Sequence, residues 1–148
     1  MKKIATIVMC MVAGMIVFIS CKRYTDEFYG PGLGLAPDNF TASALTPSDL
    51  NPNFSTGKMH FTSTFNATVR WKLTLTGRTS GAIKLFEGLS KDLSVSNTEW
   101  DGSTDTIKLF RQGEDVDAVL TVLGWKESST ATVKIANTKS HGFIIGSF

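Results

Sequence analysis

From residue 39 onward the chain alternates apolar and polar side chains with a period of two. Met59, Phe61, Ser63 and Phe65 interleave with Lys58, His60, Thr62 and Thr64. Val69, Trp71, Leu73 and Leu75 interleave with Thr68, Arg70, Lys72 and Thr74 in the cleanest such run. Alternation of this kind sends successive side chains to opposite faces, one buried and one solvated. Val116, Ala118, Leu120 and Val122 repeat the pattern, as do Ala131, Val133 and Ile135. Shorter strands are predicted over residues 40–45, 83–86, 93–96 and 106–110, with Gly77, Gly81, Gly88, Gly102, Gly113 and Gly124 as punctuation. The apolar run at residues 142–148 is predicted as a final strand at a sheet edge; the opening of a further domain since lost and a strand offered to a partner are the alternatives. No segment of helical length shows a 3.6-residue period. About seven or eight short strands between evenly spaced turns predict an all-β fold, an antiparallel two-sheet β-sandwich over residues 39–148.

Before residue 39 the pattern is of another kind. Lys2 and Lys3 precede an apolar run over residues 4–19 that ends in Ser20-Cys21, the layout of an export signal. Sixteen residues make about 24 Å of helix, short of the ~30 Å hydrocarbon core that a stable span needs. The string Val17-Phe18-Ile19-Ser20-Cys21 resembles the lipobox of bacterial lipoproteins, with Phe18 where an aliphatic residue is usual. That resemblance implies a signal peptide at residues 1–20 that is removed. Cys21 is then lipidated, becomes the new N-terminus and anchors the chain to a membrane. A cleaved secretory signal and an uncleaved anchor are the alternatives. Lys22 follows the cysteine, so the aspartate that retains some lipoproteins in the inner membrane is absent; outer membrane is the expected location, on its periplasmic or cell-surface side. Residues 21–38 read as a tether: Gly30-Pro31-Gly32 and Gly34 interrupt them, and neither period appears.

Subtracting the signal changes the composition. The chain holds 15 Lys+Arg and 13 Asp+Glu; without Lys2 and Lys3 the balance is 13 to 13, and the mature protein is formally neutral. No basic run remains to hold a phosphate backbone, so nucleic acid is not an expected partner. Cys10 falls within the signal, which leaves Cys21 alone and no disulfide.

The series Thr68-Val69-Arg70-Trp71-Lys72-Leu73-Thr74-Leu75-Thr76-Gly77, Ser80-Gly81, Gly88, Trp100-Asp101-Gly102 and Gly113-Glu114 resembles Ig-like domains related to the flagellar-hook capping protein's Ig-like module. It covers roughly residues 53–124, and its motifs are turn and core residues that speak to fold. Gly113-Glu114-Asp115 departs from the family, which often has Gly followed closely by Tyr. With the lipobox, the chain resembles small lipoproteins common in Bacteroidota, in which such sandwiches often precede carbohydrate-binding or hydrolase domains.

Candidate chemistry is sparse. In Trp100-Asp101-Gly102-Ser103 the aspartate can bond the backbone two residues on, the glycine can take a positive φ, and the tryptophan can close the core. Asp101, Ser103 and Asp105 also offer oxygens at alternate positions, as a calcium loop does. An EF-hand would need Gly and Glu where Thr106 and Gln112 stand. Glu114, Asp115 and Asp117 read as a solvated strand start. His60 and His141 lie far apart, and no Ser/His/Asp series, His-Glu-x-x-His string or phosphate loop occurs. No catalytic residue, cofactor or resident metal is expected. Of the three tryptophans, Trp71 falls on the buried face. Trp125 ends a strand and can serve as a stacking platform for a sugar ring, or as a lid over the core. The expectation is a lipid-anchored, non-catalytic structural or interaction module of the cell envelope, with envelope proteins as partners. The alternative is a carbohydrate-binding accessory protein of a polysaccharide-uptake system, with glycans as ligands.

Overall fold

A computed structural model describes residues 34–139. The expected signal peptide, Cys21, most of the expected tether, His141 and the 142–148 run lie outside the described residues. By contacts the chain divides into Met1–Leu33 and Gly34–Phe148, and the second unit is the one described. It starts inside the expected tether. Arg70 donates its N–H to Gly34 O (2.7 Å) and Ala36 donates to Leu123 O (2.8 Å), so residues 34–36 are bonded to the strands.

Five strands carry the fold: β1 (Thr46–Pro47), β2 (Phe61–Gly77), β3 (Ile83–Leu93), β4 (Asp115–Val122) and β5 (Ser128–Lys134). A one-turn helix α1 (Val95–Thr98) follows β3. Pairing is antiparallel throughout, β1 and β3 and β4 on β2 and β5 on β4. The all-β class follows the alternation. Among the described residues these strands form one sheet curled into a half-barrel. Connections fill its concave side, since Phe54, Met59, Trp100 and Phe110 join Trp71, Leu73, Leu75, Leu120 and Val133 in one buried cluster. Each such side chain contributes roughly 1.5–3 kcal/mol on leaving water.

The central strand is β2. Its odd-numbered residues from Phe61 to Leu75 point inward, Ala67 half-buried and the rest buried. The two runs of alternation in the sequence are therefore one seventeen-residue strand. A bulge divides it. Between Thr64↔Asp92 and Val69↔Ser90, β2 advances five positions while β3 advances two. The three surplus residues bend the strand and raise its local twist. Asn66 holds the bend, accepting the Thr41 N–H at Oδ1 (3.1 Å) and donating from Nδ2 to Asn39 O (2.8 Å).

Three expected strands are corrected. Residues 93–96 leave the sheet at Ser94, because Asn97 Oδ1 accepts the Ser94 N–H (2.8 Å) and starts α1. Residues 106–110 form a bend followed by irregular chain: the Thr104 hydroxyl accepts the Thr106 N–H (3.1 Å), a local bond that competes with a ladder. Residues 40–45 contribute a bridge, Ala42↔Phe65, and the strand proper is β1. Residues 83–86, by contrast, extend to the eleven-residue β3. Gly88 sits within β3 rather than in a turn, since a Cβ there would lie 2.7 Å from Trp71 Cζ2.

Candidate functional site

The Trp100 turn is built as its residues suggest. Asp101 Oδ1 accepts the Ser103 N–H (3.1 Å) and Gly102 has φ +83°. Trp100 is fully buried, and its Nε1–H donates to Ser103 O (2.8 Å). Its ring meets Phe54 at 4.6 Å and Phe110 at 5.0 Å between centroids, both edge-on, the arrangement that aromatic quadrupoles favour.

The oxygens offered for a cation are already engaged. Lys139 donates to Asp101 Oδ2. Hydrogen bonds from Lys139 and then from Ser103 hold the Asp101 carboxyl well below the usual carboxylate range. Asp105 takes Lys84 Nζ at 2.8 Å and the Leu85 N–H at 2.8 Å, and the lysine bond chiefly lowers its pKa. Each carboxylate thus has its own ammonium as counter-ion. Among the described residues no group of three or more His, Cys, Asp or Glu is placed to hold a metal ion. Ser103 contributes its backbone, N–H to Asp101 and C=O to Trp100.

Of the acidic trio, Glu114 departs from the expected solvated strand start, while the Asp115 and Asp117 side chains stay 44% and 40% exposed. Glu114 is buried, with 5% of its surface exposed. Its Oε2 accepts the N–H groups of Ser80 (2.9 Å) and Thr79 (3.2 Å), and its Oε1 accepts the Ser80 hydroxyl (3.0 Å) and the Arg111 N–H. One carboxylate thereby ties the β2–β3 turn to the turn that leads into β4. Burial pushes its pKa up, but the bonds from Arg111, Ser80 and Thr79 together outweigh burial and leave it lowered. Asp117 receives Arg78 Nε and Nη2, both at 2.8 Å, and Asp115 lies 3.5 Å from Nη1. Nothing in residue type or spacing distinguishes Glu114 from its exposed neighbours; only the fold brings Ser80 and Arg111 to it.

Trp125 is half-buried against the core. Its ring stands edge-on to Phe40 at 5.2 Å and 73°, and Phe40 in turn packs on Phe65 at 5.7 Å. An open cleft of about 390 Å³ runs beside it, bordered by Pro37, Asp38, Phe40, Lys126 and Glu127. An aromatic wall with three charged side chains around it can stack a ring and hydrogen-bond its substituents. Asp101, Ser103 and Asp105 belong to the Trp100 turn, and none of them borders this cleft.

No helix among the described residues is long and apolar enough to cross a membrane. Compared with protein-family models, curated proteins and solved structures, the chain gives no match.

Proposed function

We propose that this protein is a lipid-anchored, non-catalytic structural or interaction module of the bacterial cell envelope. The observation that carries the reading is the Lys2-Lys3, apolar, Ser20-Cys21 sequence, which resembles a lipoprotein signal. The carboxylates of the described unit support it: Glu114 ties two turns, and Asp101, Asp105 and Asp117 pair with Lys139, Lys84 and Arg78. These are bonds that hold a fold together. The finer Ig-like reading belongs to the same proposal. In an Ig-like sandwich the β2 bulge is where the curled sheet divides, one layer built on the N-terminal end of β2 with β1, the other on its C-terminal end with β3, β4 and β5. Replacing Cys21 with serine should move the protein from the membrane fraction to the soluble fraction without loss of its fold by circular dichroism. Retention of Cys21→Ser in the membrane with the signal uncut would overturn the anchor.

The cleft beside Trp125 favours a second reading, a carbohydrate-binding accessory protein. A sugar ring stacked on the indole, with hydroxyls bonded to Asp38 and Glu127, accounts for a half-exposed aromatic among charged neighbours. Affinity electrophoresis through polysaccharide gels tests it. Retardation that disappears in Trp125→Ala supports glycan binding, and unretarded wild-type protein leaves the structural role.

A further inference from the structure

The cleft beside Trp125 does not end at that ring. Gly124 borders it and also borders a second open cleft of about 330 Å³, lined by Arg70, Lys72, Glu87, Thr121 and Leu123. A tight turn makes the junction. Trp125 donates its N–H to Val122 O (3.1 Å), and Gly124 has φ +83°, a conformation that glycine takes at no steric cost. Leu123 donates its N–H to Arg70 O (2.9 Å), which sets the turn beside β2. The two clefts meet at Gly124 and form one groove, running from the indole past the turn onto the outer face of the sheet.

Strand geometry places the cations of that groove. Arg70 and Lys72 are exposed even-numbered residues of β2, so they share the outer face about 7 Å apart, the rise of two residues. Across the ladder, Leu89 stands opposite Arg70, with Glu87 and Thr121 on either side of Lys72. Lys58, Arg78, Lys84 and Lys139 each hold a carboxylate, but among the described residues neither Arg70 nor Lys72 lies in an ion pair. Glu87 is the one carboxylate lining this cleft, against two cations. At the Trp125 end the balance is reversed, with Asp38 and Glu127 against Lys126. The groove is therefore polarised, positive at Arg70 and Lys72 and negative around the indole.

We propose that this groove binds an acidic oligosaccharide, with a neutral ring stacked on Trp125 and the carboxylate or sulfate of a neighbouring sugar on Arg70 and Lys72. The proposal rests on the glycan reading of Trp125 and adds the class of sugar to it. A guanidinium presents a planar fork of donors that matches either anion. Leu89 and Leu123, each 45% exposed, flank Arg70 with apolar surface on which the sugar's C–H groups can rest. Around the indole, Asp38 and Glu127 accept from hydroxyls, whereas an anionic group there would face like charges. Charge thus sets the direction of the bound chain as well as its class.

Affinity electrophoresis of the full chain in detergent tests it, in gels cast with pectate, alginate or chondroitin sulfate and with neutral galactan, mannan or dextran. At least one acidic polysaccharide should retard the protein more than every neutral one, and added salt should weaken that retention. Arg70→Gln and Lys72→Gln, both exposed positions, should each keep the wild-type circular dichroism and weaken acidic binding about tenfold, the loss of one charge-assisted contact. Trp125→Ala should abolish it. Lys134→Gln removes the same charge outside both clefts and should bind as the wild type does. An equal loss in Lys134→Gln would mean that net charge, not the groove, holds the polysaccharide, and would overturn the proposal. Retention by neutral gels alone would overturn the acidic class and leave the glycan reading standing. Passage through every gel without retardation would overturn both.

Discussion

The carboxylate of Glu114 shows how much one residue can organise. Its four donors come from two separate turns, and bonds to a charged group are each worth about 1.5–3 kcal/mol. Glu114→Gln, which puts an NH2 where N–H groups point, should lower stability by about 2 kcal/mol in urea denaturation. The pH dependence has a definite sign. A carboxyl whose folded pKa is depressed stabilises the protein above its unfolded pKa, and that stability is lost as pH falls through the folded value. The gap between wild type and Glu114→Gln should thus be full at pH 7 and shrink below about pH 4.3, the ordinary glutamate value. Two glycines separate conformation from crowding. Gly102 and Gly113 have φ of +83° and +78°, but a Cβ would lie 2.8 Å from Phe54 Cγ at Gly102 and meet nothing within 4 Å at Gly113. Gly113→Ala should cost the backbone penalty alone, about 1–2 kcal/mol, and Gly102→Ala measurably more. Equal melting temperatures for the two would mean that the Phe54 ring yields freely. The Trp100 turn was legible because Asp and Gly act on backbone within two residues. Glu114 was not, because its partners come from 34 and 3 residues away and only the folded chain joins them.

At the scale of elements, β2 organises the sheet. Its odd-numbered apolar positions run from Phe61 to Leu75 without a change of parity, and that parity was the sequence signal for one strand instead of two. The Asn66-Ala67-Thr68 interruption, polar at Asn66 and Thr68 and with only a small side chain at Ala67, hid it. Those residues lie in the bulge, where ladder pairing stops and the side chain of Asn66 takes over. Asn66→Ala should cost about 1 kcal/mol and speed exchange at Thr41, while Leu73 and Leu120 exchange as before. Unchanged exchange at Thr41 would show that packing of Phe40 on Phe65 and Trp125 suffices to hold residues 39–41. Residues 93–96 and 106–110 misled for one reason. They carry β-formers, but serine, threonine and asparagine side chains close local bonds to the backbone before a ladder can form. Strand identity followed apolar parity, and strand ends followed side-chain hydrogen bonds that no periodicity reports.

For the whole molecule, the alternation yielded the antiparallel all-β class, while the single curled sheet depends on a bulge and on loop aromatics at Phe54, Trp100 and Phe110. Removal of residues 1–20 takes two positive charges and no negative ones, and leaves 13 of each sign. The mature protein should therefore focus well below the pI of about 8.6 of the full chain; focusing at the full-chain value would mean the signal is retained. Its hold on the membrane would then come from the lipid and from Lys22-Arg23 at the headgroups, rather than from a charged domain. The proposed anchor at Cys21 can be read in the mass of the N-terminal peptide from membrane-extracted protein. In the anchored protein that peptide should begin at Cys21 and carry a diacylglycerol on its Sγ. A peptide that begins at Met1, or one that begins at Cys21 with a free thiol, would contradict the anchor.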